Sequence, residues 1–162
     1  MKSYHKGEHS MSKRCKVLLI IHILLGLFST SLSAESLSNK NYGSVVVSKV
    51  TSIYDGDTFR VTLEGYPDII GYRMGIRVNG IDTPEMRGKC QQEKDLARLA
   101  KQLTVTQLRK AKEIELRNMK RGKYFRIVAD VYVDNKNLGQ MLINKKLAVI
   151  YDGGHKAKDW CQ

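Results

Sequence analysis

Nine consecutive residues, Arg77 to Glu85 (RVNGIDTPE), bring a guanidinium, two carboxylates, a hydroxyl and a proline close together. Hard divalent cations take carboxylate, carbonyl and water oxygens. A guanidinium binds phosphate oxygens through a planar fork of donors. Upstream, Asp55-Gly56-Asp57-Thr58 forms a second acidic cluster. Asp57 and Asp82 can share one ion if they leave neighbouring strands, with Thr83 adding its backbone carbonyl. Glu85 lies just beyond, near enough to act on water at such an ion without ligating it. Arg77 and Arg126 can each hold phosphate oxygens. A cation, a base and two arginines are the components of water attack on a phosphodiester.

Each component also has a plainer reading. DGDT is a common turn in which aspartates cap their own backbone. TPE is a common helix start, with Thr83 as N-cap, Pro84 in the first turn and Glu85 beside it. Arg77 and Arg126 can be ordinary surface cations. The joint spacing favours a site over four separate coincidences.

The elements that must position these groups follow from pattern. Ser44–Tyr54 is rich in β-branched residues, and Thr58–Leu63 alternates with Phe59, Val61 and Leu63 on one face, so both read as strands. Ile69–Gly80 reads as a third strand, interrupted by Gly71 and Gly75. Pro84 cannot donate to a ladder, so that strand ends at or before Thr83. Leu96, Leu99, Ala100 and Leu103 recur at helical spacing and predict a helix from about Glu93 to Ala111. Lys112–Met119 and Tyr124–Val133 read as strands four and five. Asp134–Asn137 supplies a turn and N-cap for a second helix, Leu138–Lys146. This order predicts an α+β, mainly β fold: a five-stranded OB-type Greek-key barrel with two helices. An open α+β sheet would show the same order.

The chain has 162 residues, 2 of them proline, and a formal charge of +12, which describes a globular polyanion binder and not a disordered segment. Either nucleic acid or an anionic membrane surface would answer to that charge alone. Residues 1–34 read as an export signal. Lys13, Arg14 and Lys16 form a basic start, Val17 to Phe28 an apolar core, and Ser33 or Ala34 a cleavage position. Met1 or Met11 can be the start, and an uncleaved anchor is the alternative. Residues 35–43 are a polar, flexible lead-in, and 44–162 form one domain. Of 3 cysteines, Cys15 falls in the leader. Cys90 and Cys161 remain as an even pair, either bridged in an oxidising compartment or standing as independent thiols. No cysteine or histidine pair has zinc spacing.

The combination of YDGDTFRVTL, RVNGIDTPE, GKYFRIVADVYV and LGQMLINKKLAVIY resembles the staphylococcal (thermo)nuclease family from about Ser44 to Tyr151. The resemblance implies an OB barrel that hydrolyses DNA and RNA with Ca²⁺, cutting between phosphorus and the 5′ oxygen. It makes Asp57, Asp82 and Thr83 the calcium ligands and Glu85 the carboxylate that acts on water. Arg77 and Arg126 become the phosphate-binding arginines, and Lys123 and Tyr124 line the nucleotide end of the cleft. A monomer exported to periplasm or medium is expected, without a protein partner or lasting membrane association. An OB module that binds nucleic acid without cutting it is the competing expectation. Three departures stand out: a longer link between Asp57 and Arg77, no clean second stacking tyrosine near Tyr151, and no long C-terminal helix after GGHKAKDWCQ.

Overall fold

The computed structural model describes residues 40–156 and 158–162, within the compact unit Ser36–Gln162. The export signal expected over residues 1–34 lies outside the described residues, as do residues 35–39 of the lead-in.

One run of chain, Val45–Ile53, closes the sheet. Its first part, β1 (Val45–Val46), pairs with β6 (Ile114–Arg121); its second part, β2 (Lys49–Ile53), pairs with β3 (Thr58–Thr62). At the bend, Val47 N–H donates to the Ile114 carbonyl at 2.8 Å and Ser48 N–H to the Thr62 carbonyl at 3.1 Å. Between these ends lie β7 (Arg126–Val133) and β4 (Met74–Val78), in the order β6-β7-β4-β3. Every pair is antiparallel except β4 with β7. A run bonded to both ends curls the sheet upon itself and removes a long free edge. This is the expected α+β, OB-type arrangement.

Alternation along β3 and β4 fills the interior. Phe59, Val61, Met74, Ile76 and Val78 are buried, while Arg60 and Arg77 point the other way. Two short strands, β5 (Ile81–Asp82) and β9 (Val149–Ile150), make a separate antiparallel ribbon, and β8 (Lys136–Asn137) pairs with β7. Among the described residues no helix is long and apolar enough to cross a membrane.

Three details differ from the sequence-based expectation. The expected strand begins only at β4: a single-turn helix, α1 (Asp68–Gly71), precedes it and makes three helices among the described residues where two were expected. Pro67 opens it, its carbonyl accepting from the Ile70 and Gly71 N–H groups, and Gly71 O accepts from Leu63 N–H at 2.8 Å. The chain folds back on β3 before β4 can begin. The second difference is the buried face of the long helix α2 (Gln91–Lys110). Ala97, Ala100, Thr104 and Leu108 are buried, whereas Leu99 is 52% exposed. Small side chains face inward because a glycine-containing turn presses against them. Third, Tyr124 and Phe125 precede β7 instead of beginning it, in left-handed conformations.

The third helix, α3 (Leu138–Asn144), begins where expected. The Asn137 side chain accepts from the Gln140 N–H at 2.9 Å, which satisfies one of its free first-turn donors.

Candidate active site

The Asp55–Thr58 turn links β2 to β3 and divides its two aspartates between different tasks. Asp55 Oδ1 accepts from the N–H groups of Asp57 (3.0 Å) and Thr58 (2.7 Å), the self-capping expected of such a turn. Asp57 turns inward and is fully buried. Its Oδ1 accepts from Arg77 Nη1 (2.6 Å) and Thr58 Oγ1 (2.9 Å); its Oδ2 accepts from Thr83 N (3.1 Å) and Thr83 Oγ1 (3.0 Å). Gly56 makes this placement possible. A Cβ there would lie 2.8 Å from Ala100 Cβ and 2.9 Å from Thr83 Cγ2, too close for any side chain. The Gly56 carbonyl accepts from Thr104 Oγ1 at 2.6 Å, fixing the turn to α2.

The RVNGIDTPE stretch converges on the same point. Arg77 leaves β4 and donates through Nη2 to Asp82 Oδ1 at 3.0 Å and to the Ile81 carbonyl at 3.4 Å. One guanidinium therefore spans both aspartates. Gly80, at φ 74°, makes the turn that returns Asp82 to it. Thr83 does not cap a helix: its N–H and hydroxyl both serve Asp57, so the helix-start reading of TPE fails here.

Burial is the largest influence on Asp57 and, with the neighbouring Asp55 carboxylate, pushes its carboxyl up to about 7. Arg77 and the hydroxyls of Thr58 and Thr83 pull the other way. A buried carboxylate whose charge is costly, tied through Arg77 to the second carboxylate of Asp82, supplies hard oxygen donors. That chemistry fits a hard divalent cation.

Glu85 stands at the outer edge of this cluster, half exposed. Its Oε1 lies 2.5 Å from Lys156 Nζ, which also reaches Asp82 Oδ1 at 2.9 Å. Burial works against the Lys156 charge, but its bonds to Asp82 and Glu85 outweigh this and hold the ammonium above the ordinary lysine range. Lys156 belongs to the segment after β9, and Cys161, further along that segment, is disulfide-bonded to Cys90 with Cα atoms 5.9 Å apart. Cys90 is also the N-cap of α2, its sulfur accepting from Glu93 N–H. The Glu93 carboxylate in turn accepts from Lys89 N–H at 2.8 Å and Glu85 N–H at 3.4 Å, anchoring the loop that carries Glu85. Cys90, Glu93 and Cys161 lie within mutual ligand range; bridged to each other, the sulfurs are not thiolate ligands.

Neither Lys156 nor Glu93 stands out in the sequence. Lys156 is one of two lysines, with Lys158, between the Gly153-Gly154 pair and Cys161, and the order of residues does not tell them apart.

Arg126, at the start of β7, lines a groove of about 800 Å³ together with Arg77, Glu85, Lys123, Tyr124 and Lys156. Its Nε donates to the Lys123 carbonyl at 3.4 Å, and its guanidinium lies 5.6 Å from the Tyr124 ring centre. The groove thus gathers Arg126, Lys123, Tyr124, Arg77 and Glu85, with Arg77 and Arg126 on the paired strands β4 and β7.

Residues 75–160 match the model of the staphylococcal nuclease homologue family. The chain belongs to that family. The matched span carries Arg77, Asp82, Thr83, Glu85, Arg126 and Lys156; Asp57 precedes it and joins it through the bonds to Arg77 and Thr83. A Schizosaccharomyces pombe protein named probable endonuclease is 28% identical over 145 residues, covering 75% of this chain and 62% of the relative. The chain therefore spans less than two thirds of that relative's length.

Proposed function

We propose that the protein is an exported, Ca²⁺-dependent nuclease that hydrolyses phosphodiester bonds of DNA and RNA with little sequence preference. The observation that carries this reading is Arg77, whose single guanidinium links Asp57 to Asp82 and lines the same groove as Arg126, Lys123 and Tyr124. Family membership supports the reaction class, and the name of the yeast relative is in keeping with it.

Asp57, Asp82 and the Thr83 carbonyl would hold the ion. When bound, Ca²⁺ supplies charge neutralisation and Lewis acidity at the phosphate. Arg126 donates to phosphate oxygens. Arg77 joins it, because a guanidinium carries more donors than its bonds to Asp57, Asp82 and Ile81 use. Glu85 accepts a proton from water as the water oxygen bonds to phosphorus. The bond to the 5′ oxygen breaks, and that oxygen takes a proton from solvent. Lys123 and Tyr124 hold the neighbouring nucleotide. The positive groove draws in a phosphate backbone without reading bases. A bridged Cys90–Cys161 pair suits export to an oxidising compartment.

Plasmid nicking tests the reading. Wild-type protein should nick in Ca²⁺ and stop in EGTA, and Glu85→Gln should slow nicking by roughly 10²–10⁴-fold while DNA binding survives. Binding without nicking by the wild type in Ca²⁺ would select the non-catalytic OB module instead.

A further inference from the structure

We propose that a second groove, on the far side of Arg126, binds a single strand of nucleic acid continuing from the catalytic groove. The inference rests on the nuclease reading for its ligand and extends the footprint of that site.

The groove has a volume of about 600 Å³ and shares Tyr54, Thr58, Tyr124 and Arg126 with the catalytic one, so the two are continuous. Its other chemistry comes from β3 and from the end of the β3–β4 connection: Arg60, Tyr72 and Arg73. The rings are presented to solvent, with Tyr72 62% and Tyr124 86% exposed. No ion pair among the described residues involves Arg60, Arg73 or Arg126. Flat rings beside unpaired guanidinium groups are what a strand of unpaired bases requires: bases stack on the rings and phosphates meet the cations. A duplex keeps its base faces inside its own stack and cannot use those rings.

Backbone geometry points the same way. Arg73 (φ 52°), Tyr124 (φ 58°) and Phe125 (φ 55°) all line this groove in the left-handed region. Tyr124 and Phe125 form the hairpin tip that Gly122 N–H closes on the Arg126 carbonyl at 2.8 Å. Asparagine or glycine would occupy such positions with little strain. Aromatic side chains there contribute exposed rings to the groove and nothing to the core.

The test uses the full chain carrying Glu85→Gln, in Ca²⁺, with fluorescein-labelled oligonucleotides read by anisotropy. The probes are a trinucleotide, strands of about 10 nucleotides of DNA and of RNA (single-strand sites span roughly 4–16 nucleotides), and a DNA duplex of the longer length. Adding Tyr72→Ala with Arg73→Ala should weaken binding of the longer strands about 10–100-fold, and binding of the trinucleotide and duplex far less. Arg60→Glu is a second, independent variant expected to do the same. Loss for both DNA and RNA supports the proposal in its general form; loss for one alone names the preferred strand. Equal losses on trinucleotide and long strand, or undiminished binding of the long strand, would overturn it. Absence of nicking by the wild type would instead remove the nuclease reading, and the anisotropy result distinguishes that failure from this one.

Discussion

The two halves of the acidic cluster are held in opposite ways. The inner half, Asp57 with Thr58 and Thr83, is buried and hydrogen-bonded on both carboxylate oxygens, between a turn that admits only glycine and helix α2. The outer half, Glu85 with Lys156, is half exposed, and its partners come from distant segments secured by one covalent bond. Packing preorganises the first, and a cross-link keeps the second in place. Under the proposed function this division is useful: a ligand set keeps its geometry before the ion arrives, whereas a base at the groove edge admits water and substrate.

The largest effect on the inner half should come from Gly56→Ala. The new methyl would collide with Ala100 and Thr83, an overpacking that costs about 1–3 kcal/mol, visible as a lower urea midpoint. Because the clash displaces Thr83, nicking should fall by more than the stability loss explains. An unchanged rate in the folded variant would show that the inner half tolerates movement.

For the outer half, Cys161→Ser or reduction should cost about 2–5 kcal/mol of global stability, read by thermal unfolding. Calcium affinity measured well below the melting temperature should change little. Lys156→Ala should do less, below about 1 kcal/mol, since its pair with Glu85 is open to solvent and screened, and Asp82 keeps its bond to Arg77. If breaking the disulfide abolished calcium binding, the distinction between the halves would disappear.

A smaller effect separates the halves by pH. The Asp57 carboxyl is raised from 3.8 to about 7 in the folded protein. Between those values the folded state holds a proton that the unfolded chain has released. This group's contribution to stability is therefore greatest at low pH and declines as pH rises to about 7. In metal-free buffer, the melting temperature of the wild type should fall relative to Asp57→Asn across that window. Parallel melting curves at all pH values would contradict the assignment.

Much of the inner half is legible in the amino-acid order because its contacts are short-range or lie on strands with clear alternation. Phe59 and Val61 alternate inward as the pattern requires, and Asp82 falls where Pro84 forces the strand to stop. Legibility ends where a partner is remote or a contact depends on close approach. Lys156 meets Glu85 only because the ribbon and the Cys90–Cys161 bond bring them together. On α2, Ala100 is buried and Leu96 and Leu103 pack against the core as the spacing predicts, whereas Leu99 faces out, because only small residues fit against the Gly56 turn. Helix α1 hid behind the strand-forming pair Ile69 and Ile70, since Pro67 and the fold-back of Gly71 onto Leu63 decide its shape. The disulfide could be posed from cysteine count alone, but its link to the α2 N-cap required coordinates.

Calorimetric titration of metal-free protein with Ca²⁺, comparing wild type with Asp57→Asn and Asp82→Asn, reads the proposed shared ion site itself. One ion per wild-type chain is expected, with a loss of at least about tenfold in affinity, some 1.4 kcal/mol, in each variant that remains folded. Wild-type affinity retained in both folded variants would place the ion elsewhere and contradict a shared Asp57–Asp82 site.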